Sequence, residues 1–127
     1  MMSPESICAE NGIDLVYFDG RGTDSKGMFN KKHKVIAIDA YLNDDEKKKR
    51  IYHELGHKDH DPTYYERNRE YCEIQADRCM IHHLLKEELD LWDDVSSFNY
   101  IHFMEKYELT SLADEAMVKE EFYGLIE

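Results

Sequence analysis

The segment His53-Glu54-Leu55-Gly56-His57 constrains this chain more than any other. Residues four apart lie on one face of an α-helix, so a helix lets both histidines aim an imidazole nitrogen at one ion. Glu54 then points about 100° round from His53. That offset allows it to reach a water activated by the ion without becoming a ligand, which is the placement of a general base. The chain has 7 histidines, and a shuffled chain of this composition would produce such a pentapeptide about once in 20 trials. The segment therefore needs partners before it is a site.

A tetrahedral metal centre that keeps one position open takes three protein ligands. Glu73 lies beyond a short loop, on the next stretch with helical periodicity, and Asp77 follows it at i+4 on the same face. Two other residues stay open as the third ligand: His60, three positions after His57, and Glu70, which shares the Glu73 face. Asp61-Pro62 should unwind the chain beside His60, which weakens that choice. A histidine ten residues after His53 would mark a metzincin, and that position is Thr63.

The flanking sequence predicts an α+β fold. Ser3-Pro4 and Gly12 bracket a first helix over 4–11, with Ile7 and Cys8 facing inward. Three short strands are expected at 13–18, 27–29 and 34–38, separated by turn-rich residues. Short connections favour antiparallel pairing, so a small antiparallel three-stranded sheet is expected. Asn43 with Glu46 suggests a capped helix over 44–58, and Thr63 with Glu66 another running to about residue 86. Cys72, Ala76, Cys79, Met80, His83 and Leu84 form its inward stripe. Helical spacing of Phe98, Ile101 and Met104, and of Leu112, Ala116 and Phe122, predicts helices over 97–107 and 111–124. The sheet is expected to pack on the helix of the pentapeptide and on the ligand helix, with the later helices closing the core.

Length and composition fit one soluble domain over residues 1–127. There is no apolar run long enough to span a bilayer and no amino-terminal leader pattern, so a cytoplasmic location is expected. Cys8, Cys72 and Cys79 form no CxxC pair and read as reduced thiols. The net charge of -12 is uneven, with 14 basic against 16 acidic residues over 1–86 and 2 against 12 over 87–127. Such a field disfavours direct nucleic-acid binding and favours basic partners.

The spacing HExxH followed by ExxxD resembles gluzincins. That resemblance implies that Glu73 completes the metal shell and that Asp77 accepts a hydrogen bond from a ligand histidine, fixing its tautomer. With Glu73-Ile74-Gln75-Ala76-Asp77 and the upstream strand Lys34-Val35-Ile36-Ala37-Ile38-Asp39, the chain is similar to the ImmA/IrrE family of metallopeptidases over about residues 13–86. The family implies a Zn2+ endopeptidase with His53, His57 and Glu73 on the metal and Glu54 as catalytic base. It often acts as an antirepressor that cleaves a helix-turn-helix repressor encoded nearby on a phage or mobile element. Larger members append a DNA-binding or sensor domain, so the compact prophage-type form is expected here. Cys79-Met80 replaces the Phe-Ala common after the second motif, a change in packing that leaves the ligands untouched.

Each feature also has a plainer reading. The alternative from another class is a non-catalytic interaction protein that keeps zinc as a structural clip, but a clip needs no Glu54. His82-His83 beside Cys79 reads as ordinary helix rather than a second metal site, since adjacent histidines face different ways. Lys47-Lys48-Lys49-Arg50 reads as a solvated face. Tyr64, Tyr65 and Tyr71 could donate to an oxyanion, with packing as the default role. Gly56 costs its helix about 1 kcal/mol relative to alanine. It therefore hints at a close backbone neighbour, expected to be the sheet edge.

Overall fold

The computed structural model describes residues 3–92 and 94–127. Ser3 caps helix α1 (Pro4–Glu10) by accepting from the Ser6 amide, and buried Cys8 and half-buried Ile7 face the interior as expected. The strands are β1 (Asp14–Phe18), β2 (Gly27–Asn30) and β3 (Val35–Asp39).

The sheet order is β1-β3-β2, and β1 runs parallel to β3 while β2 is antiparallel to it. The expected all-antiparallel sheet is therefore corrected to a mixed one. β2 and β3 form the anticipated hairpin, but the segment between β1 and β2 crosses the end of β3 and leaves β2 on the far edge. Asp39 holds that crossing. It is buried, and its carboxylate accepts from the amides of Gly20 and Tyr41, which keep its pKa below the usual value against the effect of burial. A β-carbon on Gly20 would come to 2.4 Å from Asp39 Cγ, so only glycine passes there.

Helix α2 (Asp44–Leu55) starts at Asn43, whose side chain accepts from the Glu46 amide and bonds the Glu46 carboxylate. Asp44, Asp45 and Glu46 place negative charge in its first turn, which suits the helix dipole. The helix ends at Leu55, earlier than the predicted residue 58. The chain then continues in tighter turns, with His57 N–H on the Glu54 carbonyl and Lys58 N–H on the Leu55 carbonyl.

The predicted single helix from Thr63 divides in two, α3 (Pro62–Arg67) and α4 (Arg69–Asp90). Its first cap is Asp61, which accepts from the Thr63 and Tyr64 amides, with Pro62 in the first turn. The break falls at Asn68, which has non-helical dihedrals and turns its side-chain amide back to the Tyr64 carbonyl. A 3₁₀ turn (Val95–Ser97) precedes α5 (Tyr100–Lys106) and α6 (Leu112–Ile126).

β2 and β3 pack on α2, α4 packs along α2, and α6 packs on α4. The core joins Ile36 and Ile38 of β3, Ile51, Tyr52 and Leu55 of α2, and Ile81, Leu84 and Leu85 of α4. Cys72, Ala76, Met80 and Leu84 are buried as the stripe predicted, while Cys79 and His83 are partly exposed. Buried Tyr52 donates to Glu87 Oε2 at 2.7 Å and stacks on His83, so polar and apolar contacts both lock α2 to α4.

Gly56 does have a close backbone neighbour, but it is not the sheet edge. A β-carbon there would lie 2.6 Å from Ala76 Cα and 3.0 Å from Cys79 Cβ, so the neighbour is α4. This contact brings the middle of α4 against the end of α2.

Candidate metal centre

His53, Glu54 and His57 come from the last turn of α2 and the tight turn after it, and Glu73 and Asp77 from α4. His53 Nε2 and His57 Nε2 are 3.3 Å apart. Glu73 places Oε2 2.9 Å from His53 Nε2 and Oε1 3.4 Å from His57 Nε2. Among the described residues, His53, His57 and Glu73 form a group of side chains that could share an ion, and neither His60 nor Glu70 belongs to it.

Two of these separations, 3.3 and 3.4 Å, suit zinc, while the third, 2.9 Å, is a hydrogen-bond distance. Ligands about 2.1 Å from the ion at tetrahedral angles stand about 3.4 Å from one another. Two imidazoles and one carboxylate also form the His₂Glu donor set of zinc hydrolases, with a fourth position left over.

Around this group lies a shell of oriented partners. Asp77 Oδ1 is 2.9 Å from His53 Nδ1. Burial pushes the His53 pKa down, but the bond to Asp77 and the nearby Glu73 outweigh it and leave the net shift upward. His57 has the imidazole of His60 rather than a carboxylate at its Nδ1, and burial shifts its pKa downward. Tyr65 donates its hydroxyl to Glu73 Oε1 at 2.6 Å. Burial opposes the Glu73 charge, yet Tyr65 and the two histidines prevail and lower its pKa.

Glu54 is buried at 7% exposure and stands outside the donor group. Burial raises its pKa above the ordinary value, opposed by Arg50 and His53. Arg50 lies one helical turn earlier, with its guanidinium 3.5 Å from Glu54 Oε1 and also donating to the Gly27 carbonyl of β2. A cleft of about 600 Å³ opens over the group, lined by Met28 and Phe29 of β2 and by Lys31, Lys32, Arg50 and Tyr65.

Other predicted features fall away from the cleft. His82 pairs with Glu121 and His83 stacks on Tyr52, so neither approaches a metal group. Lys48 pairs with Glu87 at 2.9 Å. Tyr64 and Tyr71 are exposed, leaving Tyr65 as the tyrosine at the site. Sequence reasoning missed Arg50, which sits one turn before Glu54 inside a run that reads as a solvated face. It also missed Gln75, which lies between Glu73 and Asp77.

The sheet packs on α2, and two histidines and a glutamate that could share an ion converge beside a buried carboxylate, as a metal-dependent hydrolase of the HExxH class requires. Residues 8–120 match the model of the IrrE N-terminal-like domain, Peptidase_M78, and the chain belongs to this family of metalloendopeptidases. Its substrate is accordingly a protein. Neither the curated proteins nor the solved structures contained a match to the chain. No described helix is long and apolar enough to cross a membrane.

Proposed function

We propose that the chain is a zinc endopeptidase in which Glu54 is the general base, and that its substrate is a helix-turn-helix repressor, making it an antirepressor. One observation carries the catalytic part: a buried carboxylate lies beside the histidine pair yet outside the donor group. Arg50, 3.5 Å away, offsets part of the cost of burying that charge, but a purely structural clip has no use for a carboxylate at this place.

His53, His57 and Glu73 would hold the ion, and Asp77 orients His53 through its Nδ1. Zinc bound there would supply Lewis-acid polarisation of the scissile carbonyl and a water acidic enough to lose a proton near neutrality. Glu54 would serve there as the proton acceptor and hand the proton on to the departing amine, a role suited to a carboxyl whose pKa burial has raised. Arg50 keeps Glu54 beside β2 through its paired contacts to Glu54 and Gly27.

The repressor part rests on the family resemblance and on the acidic carboxy-terminal third, whose field suits a basic DNA-binding partner. The experiment is to incubate the zinc-loaded chain with any helix-turn-helix protein found encoded beside its gene and map new amino termini by mass spectrometry. One discrete cut supports the reading. An intact repressor under conditions where another protein is cleaved would remove the antirepressor role.

A further inference from the structure

His57 meets the donor group through Nε2, which faces His53 Nε2 and Glu73 Oε1. Its other ring nitrogen, Nδ1, lies 2.9 Å from Nδ1 of His60. His60 Nε2 in turn lies 2.8 Å from Oε1 of Gln75. Two elements build this chain of contacts. The tight turn after α2 places His60 beside His57, with the His60 amide on the His57 carbonyl. Gln75 comes from α4, between Glu73 and Asp77.

The direction of the hydrogen bonds follows from counting protons. A neutral imidazole carries one N–H and one lone pair, so of two facing Nδ1 atoms one must donate. If His60 donated, the His57 proton would sit on Nε2, the atom aimed at the donor group, and His57 could not ligate. If His57 donates from Nδ1, its Nε2 lone pair is free. His60 then accepts at Nδ1 and carries its own proton on Nε2, where Gln75 Oε1 is an acceptor. The second arrangement satisfies every atom in the chain.

We infer that His60 and Gln75 are positioning residues for metal binding. Gln75 fixes the tautomer of His60, and His60 fixes that of His57, presenting the Nε2 lone pair to the ion. This rests on the metal-site reading of His53, His57 and Glu73. It also assigns His60 a place behind a ligand rather than in the metal shell, and it makes the two histidines unlike. His53 is backed by the carboxylate of Asp77 and His57 by a neutral relay ending at an exposed amide.

The test measures zinc affinity of the full chain by competition with a chromophoric chelator, with zinc alone as the probe. Loss of a partner behind a metal-bound histidine costs roughly 10–100-fold in affinity. His60→Phe keeps a ring against His57 but removes the acceptor, and should weaken zinc binding by about 10-fold or more. Gln75→Leu should weaken it by about 3-fold or more, and Gln75→Glu, which still accepts from His60, should stay within about twofold of wild type. Because Gln75 acts through His60, the double variant His60→Phe/Gln75→Leu should bind no more weakly than His60→Phe alone.

Wild-type affinity in Gln75→Leu, or losses that add in the double variant, would overturn the relay. If His60→Phe fails to fold, the contrast between Gln75→Leu and Gln75→Glu decides alone: a loss rescued by glutamate supports the relay, and equal affinities overturn it. Should the wild-type chain take up no zinc, or His53→Ala leave its affinity unchanged, the metal-site reading itself fails. Tight zinc binding that depends on His53 but is indifferent to Gln75 sinks the relay only.

Discussion

Gly56 and Ala76 touch so closely that a β-carbon on Gly56 would stand 2.6 Å from Ala76 Cα. Three residues before Ala76 lies Glu73 and one after it Asp77, while His57 immediately follows Gly56. The contact therefore sets the distance between the two halves of the candidate metal group.

Gly56→Ala should push α4 away from the end of α2. Overpacking a tight contact costs about 1–3 kcal/mol, and because the obstacle is backbone, relief requires a shift of the helix. We expect a lower urea midpoint together with weaker zinc binding, measured by denaturation and chelator competition. A surface glycine supplies the control: nothing lies within 4 Å of a β-carbon at Gly124, so Gly124→Ala should leave zinc affinity unchanged.

Tyr65→Phe removes the hydroxyl that bonds Glu73 Oε1. Tyr65 is only partly buried, so global stability should change by less than about 1 kcal/mol. Zinc affinity should fall by several-fold, on the order of 3–10. Unaltered affinity would show that Glu73 needs no such support.

Removing zinc should destabilise the fold, because an ion held by α2 and α4 together binds the native state only. At a free zinc concentration 100 times Kd, the gain is about 2.7 kcal/mol. Thermal scans with zinc and with a chelator should separate accordingly in wild type and coincide in a Glu73→Ala/His57→Ala variant.

His83 gives the acid limb of stability a separable component. Burial, with His82 and Lys86 nearby, pushes its pKa down to about 4. In the unfolded chain it titrates near about 6.5. Between those values the unfolded state binds the extra proton, so this contribution is complete above about pH 6.5 and is lost as the pH falls towards 4. His83→Phe, which retains a ring against Tyr52, should show a shallower loss of urea midpoint across that range. Parallel pH curves for the two proteins would contradict it.

The legible parts of the sequence were those set by local chemistry. Helix periodicity placed His53, Glu54 and His57 on one turn, and Asn43 and Ser3 capped the helices they announced. Choosing Glu73 over Glu70 needed the second motif as well, since both share a helix face and only tertiary packing brings one of them to the histidines. The parallel pairing of β1 with β3 was hidden because adjacency in sequence suggested adjacency in space. Residues 19–34 are long enough for a crossover, and β2 lies within them at the sheet's far edge. Gly56 signalled a close neighbour without saying which. Asn68 interrupts a helical pattern with neither proline nor glycine to announce it.

Glu54 is proposed as the base and not as a ligand. The two proteins, wild type and Glu54→Gln, are compared side by side for zinc stoichiometry and for the rate of cleavage of a protein that the zinc-loaded wild type cuts. We expect equal zinc content and a rate lower by about 10²–10⁴-fold. Cleavage at the wild-type rate, or loss of zinc from the variant, would contradict it.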